Sequence, residues 1–126
     1  MLFVTDQHPL VWHILGELPE RIDEIFKLAE AGKSSIFIPT IILAECLYLV
    51  EEGKIELDFD DLLRRLELSS NFVPASFNFQ VMKFLPEINL RELHDRIIIA
   101  TAKTLNAQFI TKDRGIRESG MVAVVW

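Results

Sequence analysis

Four acidic residues stand at positions where a carboxylate is unusual, and they are the first candidates for chemistry. Asp6 directly follows an apolar run, LFVT, and Asp113 follows AQFIT by one residue. Asp95 lies near the start of LHDRIIIATA, whose later residues are mostly apolar. The neighbours of Glu45 three and four positions away are Ile, Tyr and Leu, so on a helix its side chain would project from an apolar face. A carboxylate buried there without a partner would be strongly disfavoured or forced to protonate.

The elements that must position these acids alternate between short β-rich runs and helical runs, which is the pattern of βαβ units and a parallel sheet. Strands are predicted at residues 2–5, 34–39, 71–76, 107–111 and 121–126. Helices are predicted at residues 19–31, 40–53, 77–85 and 91–105, with another after Asp58 and a loop or short helix over 8–15. The length suits one domain over residues 1–126.

In an open parallel sheet, the carboxyl ends of the strands share one edge, where ligands bind. Asp6 and Asp113 map to that edge, and Asp95 and Glu45 can reach it from their helices. Several carboxylates that converge there would repel one another and raise their pKa values. A divalent cation resolves the conflict, because Mg²⁺ and Mn²⁺ favour oxygen ligands and leave positions open for a substrate phosphate.

Each acid also has a purely structural interpretation. Asp6 or Asp113 alone could be a turn or helix cap. Asp95 could cap its helix and pair with Arg96, and Glu45 could tilt to solvent or meet a buried arginine. It is less plausible that all four acids have purely structural roles than that any one of them does. By contrast, three further acids fall at the start and outer face of an amphipathic helix and are predicted to be solvated: Asp58, Asp60 and Asp61.

The net charge of −6 argues against a broad basic surface for nucleic acid. That argument weakens if four of the acids surround a metal ion. The basic residues near the motifs could then contact RNA phosphates; they are Arg96, Lys112, Arg114 and Arg117. The single Cys46 is predicted to be a small core residue, and no apolar run is long enough to cross a bilayer, so we expect a soluble, cytoplasmic protein.

An ordered set of segments spans essentially the whole chain: VTDQHPLVW, LAECLYL, HDRIIIATA, FITKD and VAVVW. This set resembles the PIN domain family, particularly its VapC-like toxin branch. The resemblance implies a three-layer α/β/α sandwich with a central, mainly parallel sheet. It places four residues on the family's acidic site: Asp6, Glu45, Asp95 and Asp113. Thr111 matches a supporting hydroxyl position, and Glu92 falls where many relatives carry an aspartate.

The sequence departs from the family pattern at two places. Gln7 stands where the family commonly has Thr or Ser, which leaves metal binding plausible but puts a supporting hydroxyl there in doubt. Leu93 and His94 replace a proline-containing pair. His8 and Trp12 match the D-x-H-x-L-x-W pattern of this branch, and packing roles suffice for both.

The resemblance implies a metal-dependent endoribonuclease that uses one or two Mg²⁺ or Mn²⁺ ions, acts as the toxin of a toxin–antitoxin pair, and forms a homodimer bound by a cognate antitoxin. Metal-activated water needs no protein nucleophile, so the lack of a Ser/His/Asp or Cys/His arrangement is no obstacle. Two alternatives remain open. One is a PIN-like nuclease in RNA processing or on DNA structures, and the other is a catalytically silent module that binds RNA or protein.

Overall fold

The computed structural model describes residues 1–126 and is built around a five-stranded sheet whose strands are all parallel. The strands are β1 (Leu2–Thr5), β2 (Ser35–Pro39), β3 (Phe72–Ala75), β4 (Gln108–Ile110) and β5 (Val124–Val125). Their order across the sheet is β3-β2-β1-β4-β5, so β1 is central. The α/β prediction is confirmed, and the sheet is entirely parallel where a mainly parallel one was expected.

Seven α-helices connect and cover the strands. They are α1 (Gln7–Leu15), α2 (Glu20–Glu30), α3 (Thr40–Glu51), α4 (Phe59–Leu68), α5 (Phe79–Phe84), α6 (Leu93–Leu105) and α7 (Arg114–Ser119). A 3₁₀ turn, Leu85–Glu87, follows α5. None of these helices combines the length and the apolar content that a bilayer crossing requires.

Apolar side chains pack on both faces of the sheet, which makes the fold a three-layer α/β/α sandwich. Phe3 and Val4 are consecutive in β1, so their side chains point to opposite faces. Val4 belongs to a cluster of 20 buried residues. Phe3 belongs to a cluster of six that joins the sheet to α2 through Ile22 and Phe26. Covering both faces is the usual condition for a parallel sheet.

The helix and strand boundaries differ from the sequence prediction at identifiable places. The helix predicted from residue 91 begins at Leu93, because the side chain of Glu92 accepts a hydrogen bond from His94 N and caps it. Helix α7 was not predicted, since it is short and buries a single apolar residue, Ile116. Pro74 lies within β3, and this strand is at an edge of the sheet, where proline is tolerated.

The lone cysteine is a core residue, as predicted. Cys46 is fully buried on the inner face of α3. Burial raises the pKa of its thiol to about 11, with a smaller contribution from the neighbouring charge of Glu45. The thiol is therefore protonated and unreactive at neutral pH.

The imidazole of His13 lies in an aromatic contact between α1, α2 and β3. Its ring centroid is 4.5 Å from that of Phe26 and 5.8 Å from that of Phe72, with both pairs stacked. Its Nε2 lies 3.3 Å from Glu30 Oε1. Burial lowers the pKa of His13 below its ordinary value, against the opposing charges of Glu30 and Asp23.

We expect the free energy of unfolding to fall as the pH drops through 6.5, the ordinary pKa of this group. The unfolded chain then binds a proton at His13 that the folded protein binds less readily, and above this pH the imidazole is neutral in both states. Replacing His13 by Phe keeps an aromatic ring and removes the titrating group. Urea unfolding at about pH 5.5 and about pH 7.5 should show a smaller pH dependence for His13→Phe than for the wild type.

The matched control is His8→Phe, at an exposed histidine of the same helix. It should keep the wild-type pH dependence. An unchanged dependence in His13→Phe would show that another group is responsible.

Candidate active site

The carboxyl ends of β1 and β4 lie at the point where the strand order changes direction, with β2 on one side of β1 and β4 on the other. Such a switch point is where open α/β sheets form their ligand sites. Thr5 and Ile110 are paired across these strands, and Asp6 N donates a 3.0 Å hydrogen bond to Ile110 O. Asp6 and Thr111 are therefore the first residues beyond two adjacent strands, and they emerge side by side.

Thr111 connects two of the predicted acids. Its side chain is 1% exposed, and its hydroxyl donates a 2.7 Å hydrogen bond to Asp6 Oδ2. The Oγ1 atom of Thr111 in turn accepts a 3.0 Å hydrogen bond from Asp113 N. The hydroxyl thus orients the Asp6 carboxylate and ties it to the segment that carries Asp113.

Asp6 and Asp113 also serve as helix caps, which was their structural interpretation. Asp6 Oδ1 accepts from Gln7 N at 2.8 Å at the start of α1. Asp113 Oδ1 accepts from Ile116 N at 2.9 Å at the start of α7. An ionised carboxylate has about four lone-pair positions, so one capping bond leaves capacity for a further ligand. Capping and cation binding are compatible at both residues.

The other two acids approach the same edge from helices. Burial raises the pKa of Asp95, and the negative charges of Asp6, Asp113 and Glu92 raise it further. Burial is also the largest cause of the raised pKa of Glu45, and like charges at Asp6, Asp95 and Glu92 add to it. The carboxylates singled out from the sequence are thus electrostatic neighbours at one edge of the sheet.

Glu45 is placed differently from the sequence expectation. Tyr48, one turn later on α3, is 59% exposed, so the face that carries Glu45 borders solvent instead of the core. The residues of α3 that face the core are Ile42, Leu43 and Cys46. The expectation of a buried apolar face around Glu45 was therefore wrong, because its apolar neighbours Ile41 and Leu49 line a surface groove.

One oxygen of Glu45 is sealed from solvent all the same. Oε1 has no hydrogen-bond partner, and the imidazole of His94 approaches it with Nδ1 at 3.4 Å. That distance is within ion-pair range but does not meet hydrogen-bond geometry. His94 accordingly opposes the raised pKa of Glu45 without cancelling it.

The structural interpretations of Asp95 are wrong. Glu92 caps α6 in its place, through the bond to His94 N. Arg96 turns away from it and donates from Nη2 to Leu85 O at 2.8 Å, while its Nε has no partner. Asp95 therefore lies half-buried in the first turn of α6, without an ion pair to Arg96.

The three other basic residues singled out from the sequence lie on the surface next to Asp113. Lys112 Nζ sits 4.6 Å from the ring centroid of Trp12. The ring of Trp12 also contacts His8 at 6.1 Å and Trp126 at 5.9 Å between centroids. Arg114 Nε pairs with Glu118 Oε1 at 2.8 Å, and Arg114 and Arg117 border a concavity of about 480 Å³.

The donor set fits an oxygen-preferring cation that keeps much of its water. Carboxylate oxygens dominate it, and the buried Oε1 of Glu45 has no hydrogen-bond partner. No three His, Cys, Asp or Glu side chains converge at chelating distance. Mg²⁺ is commonly held through one or two carboxylates and several waters, so a water-rich site is the arrangement that these residues allow.

Sequence reasoning missed two residues of this edge. His94 entered only as a departure from the family pattern, and its approach to Glu45 depends on how α6 packs against α3. Gln7 was noted as a substitution, but it also lines the groove beside Glu45. Gln7 could have been found from the sequence, because it directly follows Asp6. No feature of the sequence indicated the contact of His94.

The fold and the edge define a class: a parallel α/β/α protein with carboxylates gathered at its switch point. The chain belongs to the PIN domain family, whose model matches residues 3–120. It is also 31% identical over 80 residues to an RNA-free ribonuclease P from Thermodesulfovibrio yellowstonii, an alignment that covers 60% of this chain and 41% of that protein. The chain therefore spans about two-fifths of the length of this curated relative.

Solved structures share the fold at low sequence identity. VapBC2 from Rickettsia felis, bound to a promoter DNA fragment, aligns with a TM-score of 0.74 and 17% identity over 99% of this chain and 98% of its own. FitAcB from Neisseria gonorrhoeae aligns with a TM-score of 0.68 and 22% identity over 98% and 96% of the two chains. These alignments confirm the PIN-like architecture.

Replacing Glu45 by Gln should stabilise the protein in EDTA. The amide removes a partly buried charge and its repulsion from Asp6 and Asp95. Allowing for partial solvent exposure, we expect a gain of about 0.5–1 kcal/mol in the free energy of unfolding. Thermal unfolding should also show that Mn²⁺ raises the Tm of the wild type by a few degrees and that of Glu45→Gln less. A destabilised variant with an undiminished Mn²⁺ response would contradict this account.

Thr111→Val should weaken the response to Mn²⁺ by about 10- to 100-fold in apparent affinity, because the Asp6 carboxylate loses the bond that orients it. The matched control is Thr101→Val, at a buried hydroxyl that donates to Ile97 O within α6. Titrations of Tm against Mn²⁺ concentration should separate the two variants. Equal affinities would mean that Thr111 has only a packing role.

Proposed function

We propose that residues 1–126 act as one PIN domain with metal-dependent endoribonuclease activity, as the toxin of a toxin–antitoxin pair. One observation carries the proposal: carboxylates from two strand ends and two helices lie at the switch point, and burial and mutual repulsion raise the pKa values of Asp95 and Glu45. Without a cation, such an arrangement only costs stability.

In this proposal four residues hold one or two Mg²⁺ or Mn²⁺ ions, directly or through water: Asp6, Glu45, Asp95 and Asp113. The bound metal supplies an activated water and neutralises charge on the phosphate. Thr111 keeps Asp6 oriented through its 2.7 Å bond. Glu92 caps α6 and adds negative charge near Asp95.

Basic residues beside the acids guide the RNA backbone. Lys112, Arg114 and Arg117 are exposed near Asp113 in the chain, and Arg114 and Arg117 border one concavity. Arg96 supports the edge by fixing α6 to the carbonyl of Leu85, and its contribution to RNA binding is accordingly the smallest of the four. The negative net charge implies modest non-specific affinity for RNA.

The toxin assignment is supported by the shared architecture with VapBC and FitAB complexes. The same proposal includes a cognate antitoxin, a homodimer and a cytoplasmic location. The relative named a ribonuclease P favours a second candidate, a PIN nuclease that processes RNA. A small antitoxin reading frame immediately upstream of this one would favour the toxin.

The decisive experiment incubates the purified protein with end-labelled single-stranded and structured RNA in Mg²⁺ or Mn²⁺, with EDTA as the metal-free control. Asp6→Asn and Asp95→Asn should each lower the cleavage rate by more than about 100-fold, because each removes a charge that holds the cation. Asp60→Asn, at an exposed acid of α4, is the matched control and should cleave like the wild type.

Cleavage that persists in both site variants would place the activity elsewhere or in a contaminant. A protein that binds Mn²⁺ but cuts no RNA would favour the silent binding module. Cleavage confined to a structured precursor would favour RNA processing.

A further inference from the structure

The side chains of Glu45 and His94 meet at the acidic edge, where α3 lies near the start of α6. Nδ1 of His94 is 3.4 Å from Oε1 of Glu45. The side chain of His94 is 50% exposed and that of Glu45 is 28% exposed, so the pair borders solvent. An ion from solution can therefore approach both side chains.

This contact is not a complete ion pair. Oε1 of Glu45 is sealed from solvent and accepts no hydrogen bond, although Nδ1 of His94 is near enough for the charges to interact. A carboxylate oxygen that loses its water without gaining a donor is unfavourable. Glu45 also lies near the negative charges of Asp6 and Asp95. Its oxygen is therefore placed to take a positively charged partner.

The separation of the two atoms suits a shared metal ion. In protein sites, nitrogen and oxygen ligands lie about 2.0–2.2 Å from small divalent ions, so two ligands of one ion are about 3.0 Å apart at a right angle and about 3.4 Å apart at the tetrahedral angle. The 3.4 Å between Nδ1 and Oε1 lies in this range. Two side chains, with water in the remaining positions, are a common ligand set for such ions.

The backbone holds His94 in place for this role. His94 is the second residue of α6, and its N–H donates to the capping carboxylate of Glu92 at 3.5 Å. Arg96 fixes the same turn to the carbonyl of Leu85. The imidazole thus starts from a fixed point beside Asp95, and only its own side-chain torsions adjust its distance from an ion.

An imidazole changes which cation the acidic edge prefers. Carboxylate oxygens bind both Mg²⁺ and Mn²⁺, and Mg²⁺ keeps to oxygen ligands and water. Imidazole nitrogen is a softer ligand and binds divalent ions of the first transition row. A nitrogen ligand therefore adds affinity for a transition-metal ion without adding affinity for Mg²⁺.

We propose that His94 is a metal ligand, and that its Nδ1 atom and Oε1 of Glu45 bind the same divalent transition-metal ion at the acidic edge. The inference rests on the proposed metal-dependent function and adds a ligand beyond the four acids. It gives a role to a position at which the chain departs from the family pattern. The edge then selects Mn²⁺ over Mg²⁺ by coordination chemistry as well as by charge.

The competing explanation, an ion pair alone, makes a different prediction. A positive imidazole that only pairs with Glu45 would compete with any metal ion for the carboxylate. Removing His94 would then strengthen the binding of Mg²⁺ and Mn²⁺ to a similar extent. A ligand role predicts weaker binding of Mn²⁺ alone.

Pulsed EPR of the whole chain with substoichiometric Mn²⁺ tests coordination directly, because a bound nitrogen modulates the electron spin echo and carboxylate or water ligands do not. His94→Phe keeps a flat ring and removes both nitrogens at a half-exposed position. The matched control is His8→Phe, at an exposed histidine of α1. Titrations of Tm with Mn²⁺ and with Mg²⁺ give the two affinities, and the Tm in EDTA checks that each variant is folded.

The wild type should show nitrogen modulation, and His94→Phe should lose it. His94→Phe should also lower the apparent affinity for Mn²⁺ by about tenfold or more and change that for Mg²⁺ by less than about twofold. His8→Phe should keep the modulation and both affinities.

Three results would overturn the proposal. The first is a wild type without nitrogen modulation, and the second is modulation that persists in His94→Phe or disappears in His8→Phe instead. The third is a similar change in the affinities for both cations in His94→Phe, which would reduce the contact to an ion pair.

The failure of this proposal and that of the nuclease are distinguishable. Nitrogen coordination by His94 without any RNA cleavage would keep the ligand and overturn the nuclease. Metal-dependent cleavage by a protein whose bound Mn²⁺ shows no nitrogen modulation would keep the nuclease and overturn the ligand.

Discussion

Repulsion between like charges is the constraint on which the arrangement of this protein depends. A fully parallel sheet places every carboxyl strand end on one edge, and here that edge receives Asp6 and Asp113 from adjacent strands. The packing of α3 and α6 adds Glu45 and Asp95 in partly buried positions. The surrounding contacts then have to hold groups that would otherwise separate.

The protein restrains Asp6 and Asp113 with hydrogen bonds instead of ion pairs. The hydroxyl of Thr111 donates to Asp6, backbone N–H groups at the starts of α1 and α7 donate to Asp6 and Asp113, and Arg96 leaves the acids and binds the carbonyl of Leu85. N–H groups at helix starts carry partial positive charge, so they stabilise a carboxylate without neutralising it. The site therefore keeps its negative charge and remains able to attract a divalent cation.

The sequence predicted the parallel α/β fold and singled out the acids at its edge, because both inferences depend on local sequence patterns. A carboxylate soon after an apolar strand can be recognised in the sequence. Because the carboxyl ends of parallel strands share one edge, Asp6 and Asp113 are then expected at the same edge of the sheet. The prediction of a buried face around Glu45 was wrong, because the sequence does not distinguish apolar residues that face the core from those that line a surface groove. The contact of His94 with Glu45 was invisible, because it joins two helices far apart in the chain. Helix α7 carries too little periodicity to be read, although Asp113 and Gly120 mark its two ends.

The packing of Trp12 against Trp126 has a spectroscopic consequence. These are the only two tryptophans of the chain, and their ring centroids lie 5.9 Å apart with the rings tilted by 53°. All intrinsic tryptophan signal therefore originates at one contact, between α1 and the residue that follows β5. Lys112 covers the ring of Trp12 two residues after Ile110, the last residue of β4. Changes in tryptophan emission or near-ultraviolet dichroism thus report on the docking of the last strand beside the acidic edge.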